Sequence, residues 1–124
     1  MVISKIPNKF ASIIKKDIEF IVNLNIEQID EISLFGSCSR GEGRYNSDVD
    51  LIVITKGERL NRSTTGFIRG ELEFIDDTSV TTDVIFYDRD VFNSSKERIV
   101  NNIKKDKIIL WRKGEYTDEY KELL

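Results

Sequence analysis

Two aspartates, Asp48 and Asp50, stand two positions apart at the head of the apolar run Leu51-Ile52-Val53-Ile54. Side chains alternate across a strand, so both carboxylates project from one face of the strand that run predicts. Like charges held that close repel each other unless a proton or a cation relieves them. Hard divalent cations such as magnesium take oxygen ligands, commonly one or two carboxylates completed by substrate phosphates and water. Upstream, Ile32, Leu34 and Phe35 lead into Gly36-Ser37. Gly36 lets the backbone turn sharply or approach a ligand closely. Ser37 adds a hydroxyl and an amide, and a helix starting at Ser37–Ser39 would aim its first N–H groups at an anion. One end of residues 32–54 therefore suits a phosphate and the other suits its metal. Either half alone is commonplace: Gly-Ser is an ordinary turn, and Ser47-Asp48-Val49-Asp50 an ordinary polar lead into a strand. The combination, in this order between two strands, is what points to chemistry. A calcium loop is excluded, because residue 52 is Ile and no glycine follows in register.

The elements that must position these groups follow from spacing. Phe10, Ile13, Ile14, Ile18, Ile21 and Val22 recur at helical intervals after Pro7-Asn8, predicting a helix over 8–24 that covers a sheet. A strand is expected over 31–36, and a second with Asp48 and Asp50 at its start runs through Ile54. Residues 55–62 read as a polar loop, and Ser63-Thr64-Thr65 offers caps for a helix over 64–77, despite Gly66 and Gly70. Val80 through Tyr87 is β-branched and aromatic and reads as a strand. Within it Asp83 is the odd residue, either an edge carboxylate facing water or a partner to Asp48 and Asp50. Asp88 and Asp90 lie beyond it in a turn. Ser94-x-x-Glu97 has the capping-box pattern. It opens a helix over 95–105 with Ile99, Val100 and Ile103 on the buried side, and residues 107–111 form a short last strand. The alternation predicts an α/β domain with a mixed sheet of about four strands flanked by helices. Basic residues crowd 96–113, a solvated face or a patch for phosphate or a partner. Tyr116, Tyr120 and Leu124 recur at i, i+4, i+8 and either pack on their own domain or offer a surface to a partner helix.

Composition narrows the function classes. A chain of 124 residues predicts one domain, and 40% hydrophobic with 33% charged residues fits a globular protein with a core. The formal net charge of −3 lacks the basic footprint of a nucleic-acid binder. There is no histidine, which removes histidine-based zinc sites, Ser–His triads and Cys–His pairs. The single cysteine, Cys38, forbids an internal disulfide and fits the cytoplasm; it reads as a small packing residue. No apolar segment reaches membrane-spanning length.

The run Gly36-Ser37-Cys38-Ser39-Arg40-Gly41, five residues, then Ser47-Asp48-Val49-Asp50-Leu51 resembles the signature of the nucleotidyltransferase superfamily that includes DNA polymerase beta. It is most similar to the minimal nucleotidyltransferases, whose pattern is Gly-Ser-x-Ala-Arg-Gly, a five-residue spacer, then Ser-Asp-x-Asp-Leu. Ser39 stands where Ala is usual, a small-for-small change. The resemblance implies the polymerase-beta-like fold and one nucleotidyltransferase domain over 1–124. It implies that Asp48, Asp50 and Asp83 hold magnesium, two ions in all, and are the catalytic carboxylates. Gly36 and Ser37 hold the phosphates of a nucleotide, and Arg40 either neutralises phosphate charge or braces the loop. Ser47 orients the turn at Asp48, within the nucleotide-binding set. The implied reaction is transfer of AMP from ATP to a hydroxyl. The implied partner is a HEPN-type toxin, modified at a tyrosine, with this chain as antitoxin. Two alternatives stand beside it: transfer of a nucleotide to a small hydroxylated molecule such as an aminoglycoside, and a non-catalytic antitoxin that occludes its partner. Template-dependent polymerisation is poorly served by so short and acidic a chain.

Overall fold

The computed structural model describes residues 6–42, 48–74 and 80–123. Helix α1 (Asn8–Asn23) matches the expected span. Its first carbonyl acceptor is Pro7, whose oxygen takes the amides of Phe10 and Ala11 at 3.0 Å each. The fixed proline φ suits a helix entry, where a missing N–H costs nothing. Phe10, Ile13, Ile14, Ile18 and Ile21 are all buried, each contributing about 1.5–3 kcal/mol by leaving water.

Five strands form one sheet, β1 (Ile29–Phe35), β2 (Val49–Thr55), β3 (Thr82–Asp88), β4 (Ile108–Arg112) and β5 (Glu115–Tyr116), in the order β3-β2-β1-β4-β5. The fifth, two residues long, exceeds the expected four and is too short to carry a period-2 signal. β2 runs antiparallel to β1 and parallel to β3. A parallel pair needs a long crossover, supplied by α2 (Arg62–Phe74). The expected residues 75–77 of that helix lie outside the described residues.

The sheet is covered on both faces. On one, α1 and α2 bury Ile32, Leu34, Val49, Leu51 and Val53. On the other, α3 (Arg89–Ser94) and α4 (Arg98–Asp106) supply Phe92, Val100 and Ile103 against Ile52 and Ile54. A strand buried on both sides reads as a continuous apolar run rather than an alternation, and Leu51–Ile54 is that run. α3 is an element that spacing does not predict. Asp88 caps it, its Oδ2 accepting the amides of Asp90 and Val91 at 3.0 and 3.2 Å. The Ser94–Glu97 capping box does not form. Ser94 closes α3 by donating its hydroxyl to the Asp90 carbonyl at 2.8 Å, and α4 starts later, with Glu97 at its cap and no side-chain bond there. Ile99, expected on the buried side of that helix, is 50% exposed.

A register shift between Ile29 and Glu31 bulges β1 against β2. Bulges re-aim side chains, and here consecutive residues reach one cation: Arg89 meets Asp30 at 2.8 Å and Glu31 at 3.1 Å. Glu31, 2% exposed, also takes Lys107 Nζ at 2.6 Å and the Ser33 hydroxyl at 2.8 Å. Burial raises the Glu31 pKa, but the Lys107 and Ser33 hydrogen bonds and the two cationic charges outweigh it, and the net direction is down. The C-terminal turn, α5 (Asp118–Lys121), packs on the same domain: Tyr120 stacks on Tyr116 and donates to Glu19 Oε1 at 2.6 Å. Leu124 lies outside the described residues. No helix among the described residues is long and apolar enough to cross a membrane.

Candidate active site

Asp48 stands just before β2 and Asp50 is its second residue, so the two share a side of the sheet, that of Ile52 and Ile54. On that side α3 and α4 cover the far half of β2 and leave this end open. Asp50 pairs in register with Phe35 on β1 and with Asp83 on β3. Register partners in neighbouring strands point the same way, so Asp83 projects beside Asp50. The topology thus brings together two carboxylates 33 positions apart in sequence, and of the two readings of Asp83 it favours the partner to Asp50.

Asp48 and Asp83 are exposed and Asp50 is half-buried. Burial first, then the charges of Asp83 and Asp48, push the Asp50 carboxyl up to about 6; Arg40 opposes them weakly. Asp48 is oriented by Thr81, whose hydroxyl donates to its Oδ1 at 2.6 Å, while the Val49 amide bonds the Thr81 carbonyl at 2.9 Å. Sequence reasoning missed Thr81, which carries no signal until β3 lies beside β2.

Gly36 ends β1 at φ +78°, and a Cβ built there would collide with Asp50 Oδ2. The left-handed backbone favours glycine, and a side chain there would also force the Asp50 carboxylate to shift. After it come successive tight turns rather than the start of a helix. The amides of Ser39, Arg40 and Gly41 bond the carbonyls of Gly36, Ser37 and Cys38 at 3.1, 3.2 and 3.1 Å, and Ser39 Oγ seals the Gly36 carbonyl at 2.7 Å. Cys38 is buried, and burial together with the Asp50 charge pushes its thiol up to about 11, so it stays protonated and packs. Arg40 takes the bracing role in this structure: Nε bonds Glu42 at 2.6 Å and a terminal nitrogen bonds Asp106, the last residue of α4, at 2.7 Å. Ser47 lies outside the described residues.

Of these groups, Asp50 and Asp83 line a cleft of about 470 Å³, together with Phe35, Ile85 and Ile99 and with Arg69 and Glu73 of α2. Arg69 lies over the Phe86 ring and donates to the Val84 carbonyl on the outer edge of β3 at 3.3 Å. Neither Arg69 nor Ile99 stands out in the sequence, since a lone Arg or Ile in a helix carries no chemical signature. A slightly larger hollow of about 510 Å³ at the opposite end of the sheet, beside Trp111, Lys56 and Lys113, holds none of the candidate groups.

The donor set fits a hard cation. It is all oxygen, and Asp50 carries a repulsion that a divalent ion would relieve. As the side chains stand, no three acidic groups among the described residues close into a cage.

Residues 9–116 match the family described as Polymerase beta, Nucleotidyltransferase. The chain belongs to that family. Its activity class is nucleotidyl transfer. No curated protein matches the sequence closely enough to count as a relative. Among solved structures, a Sulfolobus solfataricus protein provisionally assigned as a nucleotidyltransferase is similar at a TM-score of 0.57 and 22% identity, covering 91% of this chain and 87% of that one. A toxin–antitoxin complex with AMP-PNP is similar at 0.60 and 21% identity, covering 88% of this chain and 80% of its own. A third, the tri-AMPylated Shewanella oneidensis HEPN toxin in complex with its MNT antitoxin, is similar at 0.51 and 21% identity, over 79% of this chain and 71% of that chain. At these identities the likeness is one of fold.

Proposed function

We propose that this nucleotidyltransferase is an antitoxin that transfers AMP from ATP to a tyrosine of a HEPN-type toxin, in the cytoplasm and with magnesium. The observation that carries the reading is that Asp50 lies between the Gly36 turn and its register partner Asp83. The bound AMP-PNP and the AMPylated toxin of the similar complexes support the nucleotide and the partner.

The roles divide among these groups. Gly36 and Ser37 bind the terminal phosphates. Asp48 and Asp50, with Asp83 beside them, would hold magnesium. Bound there, the metal would neutralise the triphosphate and stabilise the attacking and leaving oxygens of an in-line displacement. Asp83 accepts the proton of the attacking hydroxyl. A new O–P bond forms at the α-phosphorus, the bond to pyrophosphate breaks, and pyrophosphate leaves on the Gly36 side. Arg40 keeps the phosphate turn in place through Asp106, and Ser47 belongs to the same nucleotide-binding set. The catalytic unit is taken as one domain over 1–124.

The test uses ATP labelled on the α-phosphate and magnesium, with and without the product of the neighbouring gene. Label on the toxin, lost in Asp48→Asn and Asp50→Asn, is the expected result. A tight complex with no label on any partner would replace transfer by occlusion.

A further inference from the structure

We propose that Asp17 is a positioning residue for the candidate site. By accepting the Thr82 hydroxyl it pins the register of β3 on β2, and so sets Asp83 beside Asp50 and Thr81 against Asp48. The inference rests on the reading of these carboxylates as the metal and catalytic groups, and says what holds the third of them in place.

Three observations carry it. First, Asp17 is an acidic residue in the middle of α1, 1% exposed, on the helix face that buries Ile14, Ile18 and Ile21. A carboxylate is costly to bury unless it is hydrogen-bonded, and Thr82 donates its hydroxyl to Asp17 Oδ2 at 2.5 Å. Second, three consecutive residues divide between the two faces of the sheet. Thr82 pairs with Val49 and Asp83 with Asp50, so Thr82 faces α1 while Thr81 and Asp83 face the open side. There Thr81 donates to Asp48, and Asp83 projects beside Asp50. Whatever fixes Thr82 therefore fixes both of its neighbours. Third, the apolar pattern alone leaves the register of β3 open. β3 stands at the edge of the sheet, next to β2. A slip of one residue would turn Val80 and Val84 out of the large core, and the pattern forbids it. A slip of two keeps the pattern, because Val80 or Val84 then takes the place of Thr82. Such a slip would set a valine, which has no side-chain donor, against the Asp17 carboxylate. It would also put Thr81 or Ile85 beside Asp50 in place of Asp83. Asp17 penalises the registers that the apolar residues tolerate, and those are the registers that dismantle the site.

The test has a binding arm and a backbone arm, both on the full chain at a temperature where every variant is folded. Binding of AMP-PNP is measured by calorimetry as magnesium is varied. Thr82→Val is expected to weaken the magnesium-dependent binding about tenfold, the scale of a lost outer-shell partner of a metal site. Thr82→Ser, which keeps the hydroxyl, holds it within about twofold. Asp17→Asn weakens it as well, and Asp17→Asn combined with Thr82→Val is no worse than Thr82→Val alone, because the two residues act through one bond. The backbone arm follows amide hydrogen exchange without metal or nucleotide. The Val49 amide, bonded to the Thr81 carbonyl at 2.9 Å, exchanges faster in Thr82→Val, while the β1–β4 pair keeps its protection. Unchanged magnesium-dependent binding in Thr82→Val, losses that simply add in the double variant, or unchanged Val49 exchange would each overturn the inference. A wild type that binds AMP-PNP no better with magnesium than without it removes the metal reading instead. The Val49 exchange then decides the pin by itself: faster in Thr82→Val upholds it, and unchanged overturns it.

Discussion

Asp50 shows how one side chain trades stability for chemistry. Its carboxyl is pushed up to about 6 from an ordinary 3.8 by burial and by Asp83 and Asp48. A raised folded-state pKa means the group stabilises the fold fully only below the unfolded value, and this contribution is lost as pH rises through about 6. In chelator, Asp50→Asn is therefore expected to melt higher than the wild type at pH 7.5, with the gain shrinking steadily as pH falls from about 6 toward 4. The same substitution is expected to reduce transfer by roughly a hundredfold or more, since it removes a proposed magnesium ligand. A lower melting point for the variant at pH 7.5 would show that Asp50 is not repelled in the folded state. At Gly36 the costs fall on both sides. Gly36→Ala forces an L side chain to φ +78° and drives its Cβ into Asp50. The expected loss exceeds about 1 kcal/mol of stability, measured by urea denaturation, together with loss of magnesium-dependent ATP binding.

Between elements, the bulge in β1 and the junction of α4 with β4 hold the frame. Glu31 gathers Lys107, Arg89 and Ser33 in a nearly dry site. Glu31→Gln leaves the partly buried Lys107 without its carboxylate while Arg89 keeps Asp30, and is expected to cost about 3 kcal/mol at neutral pH, by chemical denaturation. Because the net direction of the Glu31 pKa is down, its stabilisation is present above the ordinary carboxylate value and is lost as pH falls through the folded one. The penalty of the substitution should therefore be smaller near pH 3, and an equal penalty at both pH values would refute the ionised assignment. Asp106 works differently, from the surface. Its bond to Arg40 ties the turn after Gly36 to α4, with the Arg40 side chain 44% exposed. Asp106→Ala should cost under about 1 kcal/mol of stability. If bracing is what Arg40 does, the nucleotide KM rises while kcat with saturating ATP stays near wild type. The two helices of this region also show why sequence spacing misleads there. Ser94-x-x-Glu97 satisfies the capping-box pattern, but Asp88 has already started a helix that consumes Ser94 as its last residue.

Over the whole molecule, the C-terminal turn closes the large core. Tyr120 and Leu123 are buried in the cluster that α1 dominates, and Tyr120 ties back to Glu19. Tyr120→Phe is expected to cost on the order of 1 kcal/mol by urea denaturation, the scale of one hydrogen bond to a charged acceptor. An unchanged midpoint would show that the tail does not secure the helix. Residues 36–50 are legible as a site from the order of residues alone, because Gly-Ser and Asp-x-Asp act through backbone freedom and strand alternation, both local properties of the chain. The first helix and the main strands are legible for the same reason. Asp83 is readable only as one of two possibilities, since a lone carboxylate in an apolar strand carries no address. Its place beside Asp50 depends on β3 joining β2 in parallel register across α2. Thr81, Arg69 and Ile99 are silent for that same reason: each stands beside groups brought near by the fold and not by the chain. Helical spacing puts Ile99 on the buried side because it ranks neighbours by angle, whereas burial depends on where the opposing sheet ends. Local chemistry and periodicity are written in the order of residues; the convergence of distant side chains on one open end of a sheet is decided only when strands pair and helices stop short of covering them.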